Sequence, residues 1–510
     1  VQSLSAICSK SATFDEVQYF GIGKYLLTEH KWDVMGALLH PPFSYYLNSL
    51  PLLFVNEDKK IWNYDVKKRD FDFLAAVDYY RGQKLLSASF NSGDKLLIAS
   101  RCMTLLLALL LGIYIYRFSS YLWGENGALL SLFFFSFCPN MIAFSGICVP
   151  DMPLTVFTFI FMYYFWRALK ERRKTLSIFA GVALGFALLS KVPALLLIPL
   201  SSGLTFMFMY IHRRNFIPCL LLILVVAFFV MLIGYQGDLT PFAQGLQYRQ
   251  MKLNDGQAAY LWGQYSSHGW WYFYPLAFLM KTPLPLLFLF PLAIFTLCRD
   301  NATNRNKAFF LLSPIILFFI AFSLSGSSVG LRYLLPVYPF IFVLVGALAA
   351  HFQQYRYYLA IAVVWYAFSS FNVAPHYLAY FNEAFGGPDN GYKFLADSNL
   401  DWGQDLKGLK KFMDRNKIEK ISLSYLGADS PGRYGIQYDW LPSYYLYNPS
   451  PEKPYDINKD QLVAVSVTNL LGVYFENRDM FKWLMAYKPV AKVGYSIYVY
   501  DLSGARNFKN

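Results

Sequence analysis

A chain of 510 residues that is 56% hydrophobic and 19% aromatic, with only 15% charged residues, cannot cover a water-facing surface of its size. Between Leu96 and Ala350 the acids are Glu125, Asp151, Glu171, Asp238, Asp255 and Asp300, a sparseness that lipid-facing helices permit and a soluble fold does not. The net charge of +13 does not indicate nucleic acid, because the basic residues gather in short links between apolar runs, as membrane orientation requires.

In chain order, the opening stretch Val1–Cys8 is shorter than the roughly 20 residues that a span needs. A first loop follows, with juxtamembrane amphipathic helices, so that residues 1–95 form one unit. Apolar runs of spanning length occur at 96–116, 127–147, 150–168, 176–190, 192–211, 216–234, 273–297, 308–325, 333–350 and 357–372. They define a transmembrane helical unit over 96–372 with about ten spans. Prolines interrupt several runs (Pro139, Pro150, Pro153, Pro193, Pro199, Pro283, Pro285), which either kinks helices or breaks them around a cavity.

The basic links at Arg167–Lys174, His212–Arg214 and Arg299–Lys307 fall on one side, with Arg117 and Arg356. By the positive-inside rule that side is cytoplasmic. The opposite side then receives the first loop, the connection near 138–150, the loop 235–272, the turn Gly326–Arg332 and everything after residue 372. Residues 373–510 read as a linker and a small non-cytoplasmic α/β domain. Within it, helices are expected at Asp405–Lys417 and Tyr474–Ala486, and strands at Glu419–Leu426, Gln461–Val467 and Val490–Leu502. The fold class is therefore a polytopic α-helical membrane protein with a C-terminal soluble α/β domain. The six cysteines lack zinc-ligand spacing, although Cys138 and Cys148 bracket one short connection and could pair in an oxidising compartment.

Chemistry concentrates on the outer face. Asp15 and Glu16 form an acid pair at a membrane boundary, suited to a general base or to capping the next helix. Asp151, in Val149-Pro150-Asp151-Met152-Pro153, is either an N-cap or a second acid aimed into the same cavity. Lys191, at an outer turn, either snorkels to headgroups or adds positive charge for a phosphate. Arg332 stands at an outer helix start where a guanidinium can grip phosphate. The loop holding His268, Trp270 and Trp271 is an aromatic belt or a sugar-stacking surface. His40 and His268, with the nearby acids, are the residues through which a divalent metal would bind.

Taken together, Phe14-Asp15-Glu16, His40-Pro41-Pro42, Pro150-Asp151-Met152-Pro153, His268-Gly269-Trp270-Trp271, Lys281-Thr282-Pro283-Leu284-Pro285 and Gly330-Leu331-Arg332-Tyr333 resemble the glycosyltransferase C superfamily. More narrowly they resemble family 39, the dolichyl-phosphate-mannose–protein mannosyltransferases and their bacterial polyprenyl-phosphate-dependent relatives. Pro375–Glu383 and Asp397–Asp405 look like a bacterial branch of that family, which would put the chain in a bacterial inner or plasma membrane. The resemblance implies a polyprenyl-phosphate sugar donor, a hydroxyl-bearing acceptor, inversion, and no required cofactor or nucleotide. It casts Asp15 as the base, Glu16 as its support, Asp151 as an ordering acid, and His40, Arg332 and Lys191 as phosphate contacts. The family's first transmembrane helix and the β-trefoil insertion of its eukaryotic members have no counterpart in these 510 residues. Two other readings remain open: a sugar-lipid flippase, or a glycosyltransferase-like scaffold subunit with a membrane-complex partner.

Overall fold

The computed structural model describes residues 1–32, 34–54, 71–87, 92–443 and 462–503. The chain opens with α1 (Gln2–Ser9), α2 (Phe14–Glu29), α3 (Met35–Leu39), α4 (Phe43–Ser49) and α5 (Phe71–Ser87). The start of α2 is set by a capping box in which Thr13 and Glu16 satisfy each other's backbone amides, so the cap is Thr13 and Glu16, not Asp15. Two glycines let α2 and α5 touch backbone to backbone. A Cβ on Gly82 would lie 1.7 Å from the Val17 carbonyl oxygen, and one on Gly21 would lie 2.3 Å from that of Asp78.

The apolar body follows: α6 (Gly93–Ser136), α7 (Pro139–Ser145), α8 (Asp151–Glu171), α9 (Lys174–Ser190), α10 (Leu197–His212) and α11 (Ile217–Gly234). After α12 (Thr240–Asp255) and the hairpin β1 (Ala259–Leu261) and β2 (Gln264–Ser266) come α13 (Phe273–Lys281), α14 (Leu284–Arg299), α15 (Ala302–Ser323), α16 (Tyr338–Gly346) and α17 (Phe352–Asn372). Helix α8 is buried along nearly its whole length and forms the centre of the body. On α11, Leu221, Val225, Phe228, Phe229 and Ile233 are exposed at helical spacing. Such a face is stable against lipid and not against water, and the chain is a multi-pass membrane protein.

All ten apolar runs are largely helical, and several are joined end to end across a break. Among the described residues six helical stretches are long and apolar enough to cross a membrane, or up to seven if a bent pair is counted. Gly93–Ser136 merges two runs into 44 residues broken at Gly124, whose φ of 78° interrupts the helix. Leu331–Asn372 likewise joins two runs through 3-10 turns, and Lys174–Ser190 is a shorter apolar helix of 17 residues. The proline-broken run is α13 and α14, which meet at 114° around Thr282-Pro283.

After α17 the chain forms 3-10 turns, then α18 (Leu406–Arg415), β3 (Lys420–Ser424), β4 (Gln437–Trp440), β5 (Leu462–Ser466), α19 (Val467–Leu470), β6 (Ala491–Val493) and β7 (Ile497–Asp501). The sheet order is β4-β3-β5-β7-β6, parallel across its first three strands and antiparallel across the rest. Three expectations change here. The helix at Tyr474–Ala486 is a series of turns ending in a 3-10 turn at Lys482–Ala486, because the Asn477 side chain accepts the Asp479 amide and diverts the backbone. The strand at Val490–Leu502 is a hairpin, turned at Gly494 and Tyr495 with φ of 60° and 66°. Strand β4 is an addition that the short, partly exposed Gln437–Trp440 did not announce. Cys138 and Cys148 are both buried free thiols.

Ion pairs bind the sheet region to the start of the chain. Lys10 meets Asp405 at 2.5 Å, Arg433 bridges Asp94 and Asp429 at 3.1 and 2.6 Å, and Lys407 reaches Asp94 at 3.0 Å. The backbone joins them too: the Ser11 amide donates to the Gln404 carbonyl and the Phe14 amide to that of Trp402.

Candidate active site

These contacts place the first turn of α2 beside the segment 397–404, and a cavity of about 530 Å³ opens there. Phe14 and Asp15 line it with Leu39 and His40 from the end of α3, Tyr248, Arg249 and Lys252 from α12, and Arg332 and Tyr333. Asp397, Trp402, Leu426 and Tyr474 close it from the C-terminal region.

The centre of the site is an ion pair. The Arg332 Nη1 donates to Asp15 Oδ2 at 2.9 Å, with both side chains mostly shielded from solvent. The guanidinium also lies 4.3 Å from the centre of the Trp402 ring, which fixes its plane. Its Nε has no partner among the described residues. Asp15 accepts no other hydrogen bond there, so its second oxygen can take a proton.

Glu16 is one residue away and does something different. Its Oε1 accepts from Arg101 Nε and the Cys148 amide, both at 2.9 Å. Its Oε2 accepts from Arg101 Nη2 at 2.7 Å, the Thr13 amide at 2.8 Å and the Thr13 hydroxyl at 3.0 Å. Arg101 spends its other donors on the carbonyls of Ile7, Lys10 and Ser11. Burial pushes the Glu16 carboxyl up, but Arg101 and the two amides outweigh it, and its pKa falls below the ordinary value. Glu16 is the knot that holds the turn presenting Asp15, and it does not line the cavity.

Asp151 and Lys191 also lie behind the wall. They form a buried pair at 2.7 Å, and the Lys191 ammonium sits 3.9 Å over the Tyr333 ring. Asp151 is the first residue of α8 and makes no capping bond, and Lys191 turns inward where snorkelling would carry it to the surface. His40 packs against the Tyr19 ring at 6.1 Å. Burial first, then Lys191, Arg249 and Arg332, drive its pKa well below the usual histidine value. It is a neutral imidazole at pH 7, and its Nδ1 has no partner among the described residues.

His268, Trp270 and Trp271 are beside the cavity, not in its wall. His268 touches the edge at Gly256, Trp270 is tied through its amide to Ser328 at 3.1 Å, and Trp271 is exposed. Among the described residues no group of three or more His, Cys, Asp or Glu could hold a metal ion.

Residues that sequence reading passed over complete the site. Arg249 and Lys252 lie one turn apart on α12, and neither forms an ion pair among the described residues. Their spacing in the outer loop 235–272 was a visible signal; what they face was not. Asp397, the first residue of the Asp397–Asp405 segment, reaches the same cavity, where Tyr474 donates its hydroxyl to Oδ2. Burial pushes the Asp397 pKa up, against the pull of Tyr474 and Arg332. An arrangement of two carboxylates, three cations and a neutral imidazole can take a proton from a hydroxyl beside a bound anion.

Residues 86–235 match the family described as dolichyl-phosphate-mannose-protein mannosyltransferase, a stretch running from the end of α5 through α11. No curated protein matches the chain. Among solved structures, ArnT from Cupriavidus metallidurans bound to undecaprenyl phosphate is 12% identical, superposes with a TM-score of 0.50, and is matched over 99% of this chain and 96% of its own. The apo form of the same protein gives a TM-score of 0.49 at 12% identity, over 98% of this chain and 95% of its own. The chain thus has an ArnT-like fold, and the resemblance carried by its ordered motifs is borne out by a mannosyltransferase-family segment at the core of its membrane body.

Proposed function

We propose that the chain is a membrane glycosyltransferase that moves a sugar from a polyprenyl-phosphate donor to a hydroxyl acceptor on a protein, lipid or glycan. The family match over 86–235 and the ArnT-like fold support this class of activity, and the ArnT structure is of that protein bound to undecaprenyl phosphate. The observation that carries the reading is the Asp15–Arg332 pair at 2.9 Å in a cavity also lined by Arg249, Lys252 and His40.

In this reading the acceptor oxygen attacks the anomeric carbon from the face opposite the phosphate. The bond from that carbon to the phosphate oxygen breaks, its electron pair stays on the leaving polyprenyl phosphate, and configuration inverts. Asp15 takes the acceptor's hydroxyl proton. Arg332, Arg249 and Lys252 face the charge that grows on the phosphate, where fixed positive groups lower the barrier most. His40, being neutral, offers a hydrogen bond there and no charge. Asp151 and Lys191 hold Tyr333 and the adjoining wall, and Glu16 anchors Asp15. His268, Trp270 and Trp271 guide the substrate at the rim. The basic links between helices support a reading in which the cavity opens on the non-cytoplasmic side.

Asp15→Asn tests the assignment. The variant should fold and insert normally, and should lose transfer from a polyprenyl-phosphate sugar by at least ~100-fold. Wild-type rates in that variant would remove Asp15 as the base.

A further inference from the structure

The C-terminal sheet region has no role in the chemistry above, yet it forms one wall of the cavity. We propose that Asp397 and Tyr474 form a sugar subsite, in which the Asp397 carboxylate accepts a hydrogen bond from a ring hydroxyl of the sugar being transferred. This rests on the glycosyltransferase reading of the site and adds a determinant of sugar choice to it.

Asp397 adopts a left-handed backbone conformation, φ 54°, that non-glycine residues seldom take. Surrounding bonds over-determine it. Its amide donates to the Thr468 hydroxyl at 3.1 Å, and its carbonyl accepts the amides of Leu400 and Asp401 at 2.8 and 2.9 Å. The side chain is held as firmly: Oδ1 accepts the Ser398 amide at 2.6 Å and Oδ2 accepts the Tyr474 hydroxyl. Thr468 and Tyr474 follow β5, 71 and 77 positions along the chain from Asp397, so two segments distant in sequence converge to hold one carboxyl group at the cavity. A carboxylate has about four acceptor positions, and these bonds leave two for a ligand. No lysine, arginine or histidine lies within ion-pair distance of it among the described residues.

Its place on the wall says which part of a substrate it would meet. Both Arg332 and Asp15 act on it electrostatically. In the reaction proposed, the group lying between a phosphate held by the cations and an acceptor oxygen held by Asp15 is the sugar ring. A ring hydroxyl is a donor that matches the free lone pairs of a carboxylate already fixed by two other donors.

The test uses the full chain in lipid nanodiscs with undecaprenyl-phosphate-linked glucose, mannose and galactose and their monodeoxy forms. Wild type should lose roughly 10- to 100-fold in kcat/KM with one monodeoxy donor, the cost of one hydrogen bond to a charged group. Asp397→Asn should lose a similar factor with the intact donor and little more with that deoxy donor. Tyr474→Phe, which keeps the carboxylate, should show a smaller loss and the same donor preference. If Asp397→Asn discriminates among the deoxy donors as wild type does, the subsite is wrong while the glycosyltransferase reading stands. If wild type turns over none of the donors, or Asp15→Asn is fully active, the reading itself fails and the subsite with it.

Discussion

Changing Glu16 to glutamine replaces one oxygen with an NH2 group and separates the two adjacent acids by phenotype. Five donors converge on the two carboxylate oxygens: Arg101 Nε and the Cys148 amide on Oε1, and Arg101 Nη2 with the Thr13 amide and hydroxyl on Oε2. Either orientation of a glutamine amide points its own hydrogens at two or three of these donors, and no flip repairs the clash. Arg101 then keeps a buried charge with no counter-charge, since its other contacts are neutral carbonyls. Breaking one side of a buried ion pair costs about 3–5 kcal/mol. By contrast Asp15→Asn disturbs a single, partly solvated bond, and should cost about 1 kcal/mol or less. Thermal unfolding of the purified variants in one detergent, followed by tryptophan fluorescence, separates the cases. Glu16→Gln should melt well below wild type and lose activity in proportion to lost folded protein, while Asp15→Asn melts near wild type and is inactive. Equal melting of Glu16→Gln and wild type would refute the clamp.

Three further outcomes are expected. Burial pushes the Asp401 pKa up to about 7, against the Thr468 amide at 2.9 Å, so the folded state keeps a proton that the unfolded chain releases near 4. The native state binds more protons in that window, so stability falls as pH rises from about 4 to about 7, by at most about 4 kcal/mol at about 1.4 kcal/mol per pH step. Asp401→Asn should flatten this slope in melts taken between pH 5 and 8, and an unchanged slope would assign it elsewhere. Gly82→Ala should force α5 off α2, because its Cβ would sit 1.7 Å from the Val17 carbonyl; a loss of about 1–3 kcal/mol is expected in the same melts, and a neutral result would mean the helices separate freely. Arg249→Gln should leave melting unchanged and raise the KM for a polyprenyl-phosphate donor about tenfold, as loss of one phosphate contact does; an unchanged KM would take α12 out of the phosphate contacts.

The site was partly legible in the sequence for a definite reason. Asp15, His40 and Arg332 sit at the ends of helices, where a polar residue beside an apolar run stands out, and all three line one cavity. Glu16 looked equivalent to Asp15 because adjacent residues share a sequence environment. On a helix they point about 100° apart, and one reaches the cavity while the other meets Arg101. Lys191 read as a snorkelling residue because its partner Asp151 is 40 positions away, a distance no local pattern spans. Arg249 and Asp397 were visible as letters, but the cavity that gives them meaning joins α12 to the C-terminal region.

Composition and apolar periodicity by themselves determined that this chain lives in a membrane, where its helices run, and that a small mixed sheet follows them. Those properties follow from local burial of backbone groups and apolar side chains, which each segment decides for itself. Only the tertiary structure decided how the ten apolar runs join end to end, which acid faces the cavity, and that the C-terminal region closes it. Those depend on contacts between residues up to several hundred positions apart, such as Asp15 with Arg332 and Lys10 with Asp405, and such pairings exist only once the chain has folded around them.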